Sequence, residues 1–272
     1  MAAVKYPDGV KDYGEMVTKG YCFVDKTMMI RDVCEAEDKV ILYTRPRRFG
    51  KSVNLSMLDY FFNIDYRGSP DMFAGRRITK ECPECAEHRN AYPVIRMDFS
   101  RLSSFSVDEF RESLSDLVSL IATRVRRAIS PDALNEDDAR RLRKCADGGL
   151  KGMALNCAVA DMCEILDNAY GRKVMLFVDE YDRCVQGLSD QDLYDGIVNS
   201  IRPFMEQTFK TNTHMRTGVV TGIMPLAKAG MLRASTTLSS ATFSATRGTS
   251  TSGSPRGRWS GCSRRPGTTS PG

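Results

Sequence analysis

The chain has 272 residues, a formal net charge of +5 and nine cysteines. That length can bury a full core as one α/β domain. No run of about 18 apolar residues and no charged-then-apolar N-terminus occurs, which sets aside a spanning helix and a signal peptide and implies a cytoplasmic chain with no membrane partner. The basic excess does not argue for a nucleic-acid surface. Six arginines and no acidic residue lie from Arg233 onward, so residues 1–232 hold 33 basic and 34 acidic side chains, a net of −1. An odd number of cysteines scattered without a framework fits reduced thiols.

Residues 1–39 mix aromatic and charged side chains. Asp25-Lys26-Thr27 leads into Met28, Met29, Ile30 and Val33, whose spacing predicts a short amphipathic helix beside the first strand. Asp25 and Lys26 read either as a structural cap or as a contact to a nucleotide base. Next comes the apolar, β-prone run Val40-Ile41-Leu42-Tyr43, then Arg45-Pro46-Arg47-Arg48-Phe49-Gly50-Lys51-Ser52, then a helical stretch over 55–62.

Strand, tight loop with Gly-Lys-Ser, and helix form the context of a phosphate-binding loop. Amides at a helix start have no intrahelical acceptor and sit at the positive end of the helix dipole, so they can receive phosphate oxygens. The binding set read here is Arg47, Arg48, Phe49, Gly50, Lys51, Ser52 and Val53. Gly50 permits close backbone approach, Lys51 reaches the β and γ phosphates, and the Ser52 hydroxyl can ligate a magnesium ion. The plain alternative is a Gly-Lys-Ser turn without function. Arg45 stands where the generic pattern has glycine.

Residues 63–91 are polar and irregular. Cys82, Cys85 and His88 make half a zinc motif with no second Cys-x-x-Cys to answer it, so a metal site and incidental thiols both stay open. Residues 92–100 read as a second strand carrying Asp98 near its carboxyl end, facing the nucleotide or capping the next turn. Phe110, Leu114, Leu117, Val118, Ile121 and Val125 recur at helical spacing. Arg124, Arg126 and Arg127 crowd that helix end, where cations compensate the dipole. Residues 131–150 look like a surface connection with a short helix, and a second helical run covers 153–170.

The run Val174-Met175-Leu176-Phe177-Val178 is apolar throughout, as a strand covered on both faces is, and it delivers Asp179 and Glu180 to the sheet's carboxyl edge. A nucleotide hydrolase needs such a pair: Asp179 to hold magnesium and Glu180 to orient or deprotonate the attacking water. The alternative is an ordinary core strand whose acidic residues cap the next helix. Residues 193–209 are amphipathic, with Pro203 expected to kink the helix or begin a new segment. His214 precedes a further strand over 215–220 and reads as structural, with no acidic partner suggested.

Four stretches resemble one known family. Residues 44–52, the opening words Tyr6-Pro7-Asp8-Gly9-Val10 and Val24-Asp25-Lys26-Thr27, and the group from Asp179 to Asp182 are similar to those of the AAA-ATPase-like proteins. The resemblance covers about residues 5–232. It implies a three-layer P-loop NTPase sandwich with a mainly parallel sheet, use of ATP with Mg2+, hydrolysis of the catalytic-glutamate type with Glu180 and Lys51 as the catalytic pair, and Thr221 as the polar group that senses the γ-phosphate. A buried threonine satisfying its own backbone is the other reading of Thr221. Family members usually carry a PD-(D/E)XK nuclease-like domain after the ATPase, and the expectation here is that this domain is missing. A nucleic-acid partner and the oligomeric state stay open.

From residue 233 the composition turns to Ser, Thr, Gly, Arg and Pro, so 233–272 reads as a disordered tail and 1–232 as the ATPase-like domain. A frameshift accounts for the change. Serine codons of the TCN type, read one base early, give codons for Phe, Leu, Ile or Val. Residues 232–256 can then be re-read as SGLNNLKFSDILSDPGYFDFGFTE, which is similar to the family's continuation. On that expectation the sheet is incomplete at its C-terminal side. The function expected is a magnesium-dependent ATPase or nucleotide switch. The alternatives are a non-hydrolysing interaction module and a non-functional fragment.

Overall fold

The computed structural model describes residues 5–46, 49–223 and, for the backbone alone, 238–240. In chain order the elements are α1 (Tyr13–Thr18), α2 (Met29–Glu35), β1 (Val40–Thr44), α3 (Lys51–Phe62), α4 (Arg77–Glu81), β2 (Val94–Asp98), α5 (Val107–Ala128), α6 (Glu136–Ala146), α7 (Gly152–Tyr170), β3 (Val174–Asp179), α8 (Gln191–Met205), β4 (Met215–Gly222) and β5 (Leu238–Ser240). The strands form one sheet in the order β2-β3-β4-β1-β5, and every pairing is parallel. The four strands expected from sequence are present.

Alternation along the strands builds the three layers. Val40, Leu42, Ile95, Met97, Val174, Leu176 and Val178 face one core with α5, α6, α7 and α8, while Ile41, Tyr43, Met175, Phe177 and Val219 face a second core with α1, α2 and α3. All six residues of β3 are buried, which explains why its sequence is an unbroken apolar run rather than an alternating one. The N-terminal segment belongs to the second core: the Tyr13 amide donates to Ser56 Oγ at 3.1 Å and its ring stacks on Phe73.

Helix ends follow local chemistry. Ser106 caps α5 by accepting from the Glu109 amide, with Asp108 and Glu109 in its first turn and Arg126 and Arg127 in its last, so those arginines do compensate the dipole. Gly171 ends α7 in the left-handed region at φ 62°.

Several expectations need correction. The short helix expected within residues 131–150 is α6, eleven residues long, but it is more than a surface connection: Leu142 and Cys145 reach the core, and Arg141 pairs with Asp138, Asp161 and Glu164. Pro203 does not begin a new segment: it lies inside α8, which continues past it into a π-type turn over Glu206–Lys210. His214 does have an acidic partner, Asp167, whose Oδ2 lies 2.9 Å from its Nδ1. Sequence could not pair these residues because they meet only when α7 packs beside the start of β4. Cys82 and Cys85 are joined as a disulfide within a 3-10 turn, so not every thiol is reduced, and His88 instead meets the Tyr92 hydroxyl at 2.8 Å. Among the described residues no group of three or more His, Cys, Asp or Glu is arranged to hold a metal ion. Three residues of the segment read as a disordered tail form β5, with Leu238 opposite Val40. The rest of 233–272 lies outside the described residues. No described helix is long and apolar enough to cross a membrane.

Phe177, fully buried in the middle of β3, tests the two-faced packing. Phe177→Ala should lower unfolding free energy by about 3–5 kcal/mol through lost burial and the cavity left behind. Denaturant titration of both proteins checks it, and a loss under about 1 kcal/mol would contradict the packing described.

Candidate functional site

The site is built where β1, β3 and β4 end. All three run the same way, so their carboxyl ends share one rim: Thr44 lies opposite Gly222 and Val178 opposite Val220. Beyond Thr44 the Arg45 amide still donates to Gly222 O at 3.1 Å, which fixes where the loop departs from the sheet. The loop ends at Gly50, the residue before α3, whose φ of 75° is a left-handed conformation that costs glycine little.

No side chain caps the start of α3. The first helical bond runs from the Asn54 amide to Gly50 O at 2.9 Å, and the amides of Lys51, Ser52 and Val53 meet no acceptor among the described residues. Uncapped donors at the positive end of a twelve-residue helix make an anion site. The Lys51 ammonium donates to the carbonyl oxygens of Arg45, at 2.9 Å, and Pro46, at 3.1 Å, and so spans the loop. Val53 is buried, Ser52 is half-buried, and the Phe49 side chain is exposed. Arg47 and Arg48 lie outside the described residues.

Across the rim, Asp179 Oδ1 accepts from both the buried Thr221 hydroxyl and the Glu180 amide, the latter at 3.1 Å. Neither reading of Thr221 foresaw this bond: its hydroxyl turns to Asp179, not to its own backbone. Glu180 has φ 51°, a strained conformation for a residue with a side chain, and its carboxylate has no partner among the described residues. The strain ends β3 abruptly and lets the Tyr181 amide donate to Thr221 O at 3.1 Å. The buried Asp182 accepts from the Ile223 amide at 3.0 Å, tying the end of β4 to the turn after β3. This is a mechanical role for Tyr181-Asp182 that sequence did not supply. Gly222 is required here, because a Cβ on it would overlap the Tyr181 ring.

A cavity of about 490 Å³ opens along the free edge of β2 and reaches the rim, lined there by Ser52, Asp98 and Asp179. Lys51, Glu180 and Thr221 are not among its walls, so the cavity touches one side of the site and is not the whole of it. Asp98 stands opposite Asp179 in the sheet and also accepts from the Ser100 amide at 3.0 Å, so it borders the site and caps its own turn at once.

A second lysine reaches the loop. Lys26 donates to Phe49 O at 3.1 Å, and burial together with the neighbouring Arg45 pushes its pKa below the ordinary lysine value. Asp25 is the structural cap: it accepts from the Thr27 and Arg77 amides. The signal that marked this residue pair was the word Val24-Asp25-Lys26-Thr27, although nothing in it says where the lysine points.

The rim therefore combines amide donors and an ammonium with two adjacent carboxylates and a serine hydroxyl. Such a set can hold a polyanion on one side and a hard cation with a water on the other.

Residues 7–232 match a family model described as predicted AAA-ATPase. A protein of Azotobacter chroococcum mcd 1, called "Uncharacterized protein in vnfD 5'region", is 23% identical over 234 residues, which are 85% of this chain and 39% of that protein. The chain thus spans about two fifths of the length of the curated relative it matches. No solved structure matches.

The close approach of Tyr181 to Gly222 generates a test of the rim. Gly222→Ala should lower stability by about 1–3 kcal/mol through overpacking. Thermal unfolding of the two proteins measures it, and an unchanged midpoint would show that β4 does not end against the Tyr181 ring.

Proposed function

We propose that this chain, which belongs to the predicted AAA-ATPase-like family, binds ATP at the rim formed by the ends of β1, β3 and β4 and hydrolyses it with magnesium. The observation that carries this reading is the uncapped start of α3, with Lys51 folded over its own loop, on the same rim as the Asp179-Thr221 pair. ATP in preference to GTP follows the family alone.

The roles follow from chemistry. The amides at the start of α3 receive phosphate oxygens. Lys51 exchanges the carbonyls of Arg45 and Pro46 for oxygens of the β and γ phosphates, an exchange of neutral acceptors for charged ones that favours binding. The residues present suit magnesium: Ser52, Asp98 and Asp179 offer oxygens on one wall, and this ion takes one or two carboxylates together with phosphates and waters. Ser52 and Asp179 would hold the ion, whose chemistry when bound would be to neutralise developing phosphate charge. Thr221 fixes the Asp179 carboxylate by donating to its Oδ1. Glu180 takes a proton from the attacking water as its oxygen bonds to the γ phosphorus and the bridging P–O bond to the β phosphate breaks, leaving ADP and phosphate.

A second reading has support from one observation, the matched relative being more than twice as long as the aligned segment. In it the chain is a non-hydrolysing nucleotide-binding module of a larger assembly, whose nucleotide occupancy acts on a following nuclease-like domain of the kind the family resemblance implies.

ATP binding and phosphate release by the parent, Lys51→Ala and Glu180→Gln proteins test both readings. Lys51→Ala should weaken binding by more than about tenfold, a loss on the order of 1.4 kcal/mol. Glu180→Gln should keep binding while release falls about 10²–10⁴-fold. A Lys51→Ala protein that binds and hydrolyses like the parent overturns the assignment, whereas equal background release from the parent and Glu180→Gln, with ATP bound by both, selects the non-hydrolysing module.

A further inference from the structure

The word Val24-Asp25-Lys26-Thr27 is assembled so that its neighbours face one way and its lysine the other. Asp25 Oδ1 accepts from the Thr27 amide and hydroxyl, at 2.9 and 2.6 Å, and Asp25 Oδ2 accepts from the Arg77 amide at 3.0 Å. The Thr27 hydroxyl oxygen accepts from the Ile78 amide at 3.1 Å, and Thr27 is fully buried. Asp25 and Thr27 therefore cap α4 from about 50 residues away in sequence and clamp the segment between them. Lys26 is left to reach the phosphate loop, where its Nζ lies 3.1 Å from Phe49 O and 4.0 Å from the point a Cβ on Gly50 would occupy.

We infer that Lys26 is a positioning residue for the phosphate loop: by holding the Phe49 carbonyl, it fixes the Phe49–Gly50 peptide with the Gly50 amide aimed away from Lys26 and into the loop. A trans peptide carries its C=O and N–H in opposite directions, so fixing one fixes the other. The strut is needed because Gly50 has little torsional preference of its own. Without a restraint the peptide before it can turn over and present an oxygen to the anion in place of a proton. Arg45 occupies the position where other phosphate loops have glycine, and it lies close enough to Lys26 to lower the lysine's pKa. A bound anion relieves that crowding of cations, so loop order and anion binding are coupled. The occupant is a nucleoside triphosphate, and in this the inference rests on the proposed function.

The experiment separates the two. Amide hydrogen exchange over residues 45–57 is followed in the full chain without nucleotide, for the parent, Lys26→Met and Lys26→Arg. ATP affinity and phosphate release with magnesium are measured on the same proteins. Lys26→Met should raise exchange in that segment several-fold while peptides from α5 and α8 stay as in the parent. It should also weaken ATP binding about tenfold, raising KM more than it lowers kcat. Lys26→Arg, which still donates to the carbonyl, should restore most of both. Exchange and affinity within twofold of the parent in Lys26→Met would overturn the inference, and so would a general rise in exchange that spreads to α5 and α8. If the parent binds no ATP the functional reading falls, while loop exchange still decides whether Lys26 is the strut.

Discussion

Everything at the rim depends on β3 lying parallel between β2 and β4 in one register, with Asp98 opposite Asp179 and Val178 opposite Val220. A slip of one residue would turn each side chain of β3 to the opposite face, moving Phe177 out of one core and Val178 out of the other. It would also carry Asp179 off the rim and break its bond with Thr221. All six residues of β3 are buried, so a slip would have to repack both cores at once. The carboxylate is therefore positioned by the core, and Thr221 and Asp182 make the last adjustments.

The loop follows a different logic. Among the described residues the bonds around the left-handed Gly50 come from polar groups of the loop and its neighbours: Lys51 to the carbonyls of Arg45 and Pro46, Lys26 to that of Phe49, and the Arg45 amide to β4. The strained backbone of Glu180 is the counterpart on the other side of the rim. Conformations of this kind persist where the surrounding structure over-determines them, and here each is flanked by groups suited to charge.

Much of this was legible in the order of residues. The apolar run before Asp179, the helical spacing of α5 and the strand-loop-helix context of Lys51 are local signals, and each element formed where periodicity placed it. What stayed hidden was nonlocal. Lys26 and Phe49 are 23 residues apart, Asp167 and His214 are 47 apart, and Asp182 meets the backbone 41 residues on. Sequence fixes such partners only through packing, which has no period. Pro203 shows the limit of a local rule: of the kink or new segment it suggested, no new segment begins, and α8 runs on through the buried Phe204 and Met205. The Cys82–Cys85 bond and the short strand β5 lie in segments whose composition carries no such signal.

The central claim is that the start of α3 and the Asp179 carboxylate face one triphosphate. A crystal structure of the chain with magnesium and a non-hydrolysable ATP analogue tests it most directly. The account predicts phosphate oxygens on the amides of residues 50–53, with the metal between the Ser52 hydroxyl and Asp179. A nucleotide bound away from that helix start, or an Asp179 carboxylate with neither metal nor metal-bound water beside it, would contradict the account.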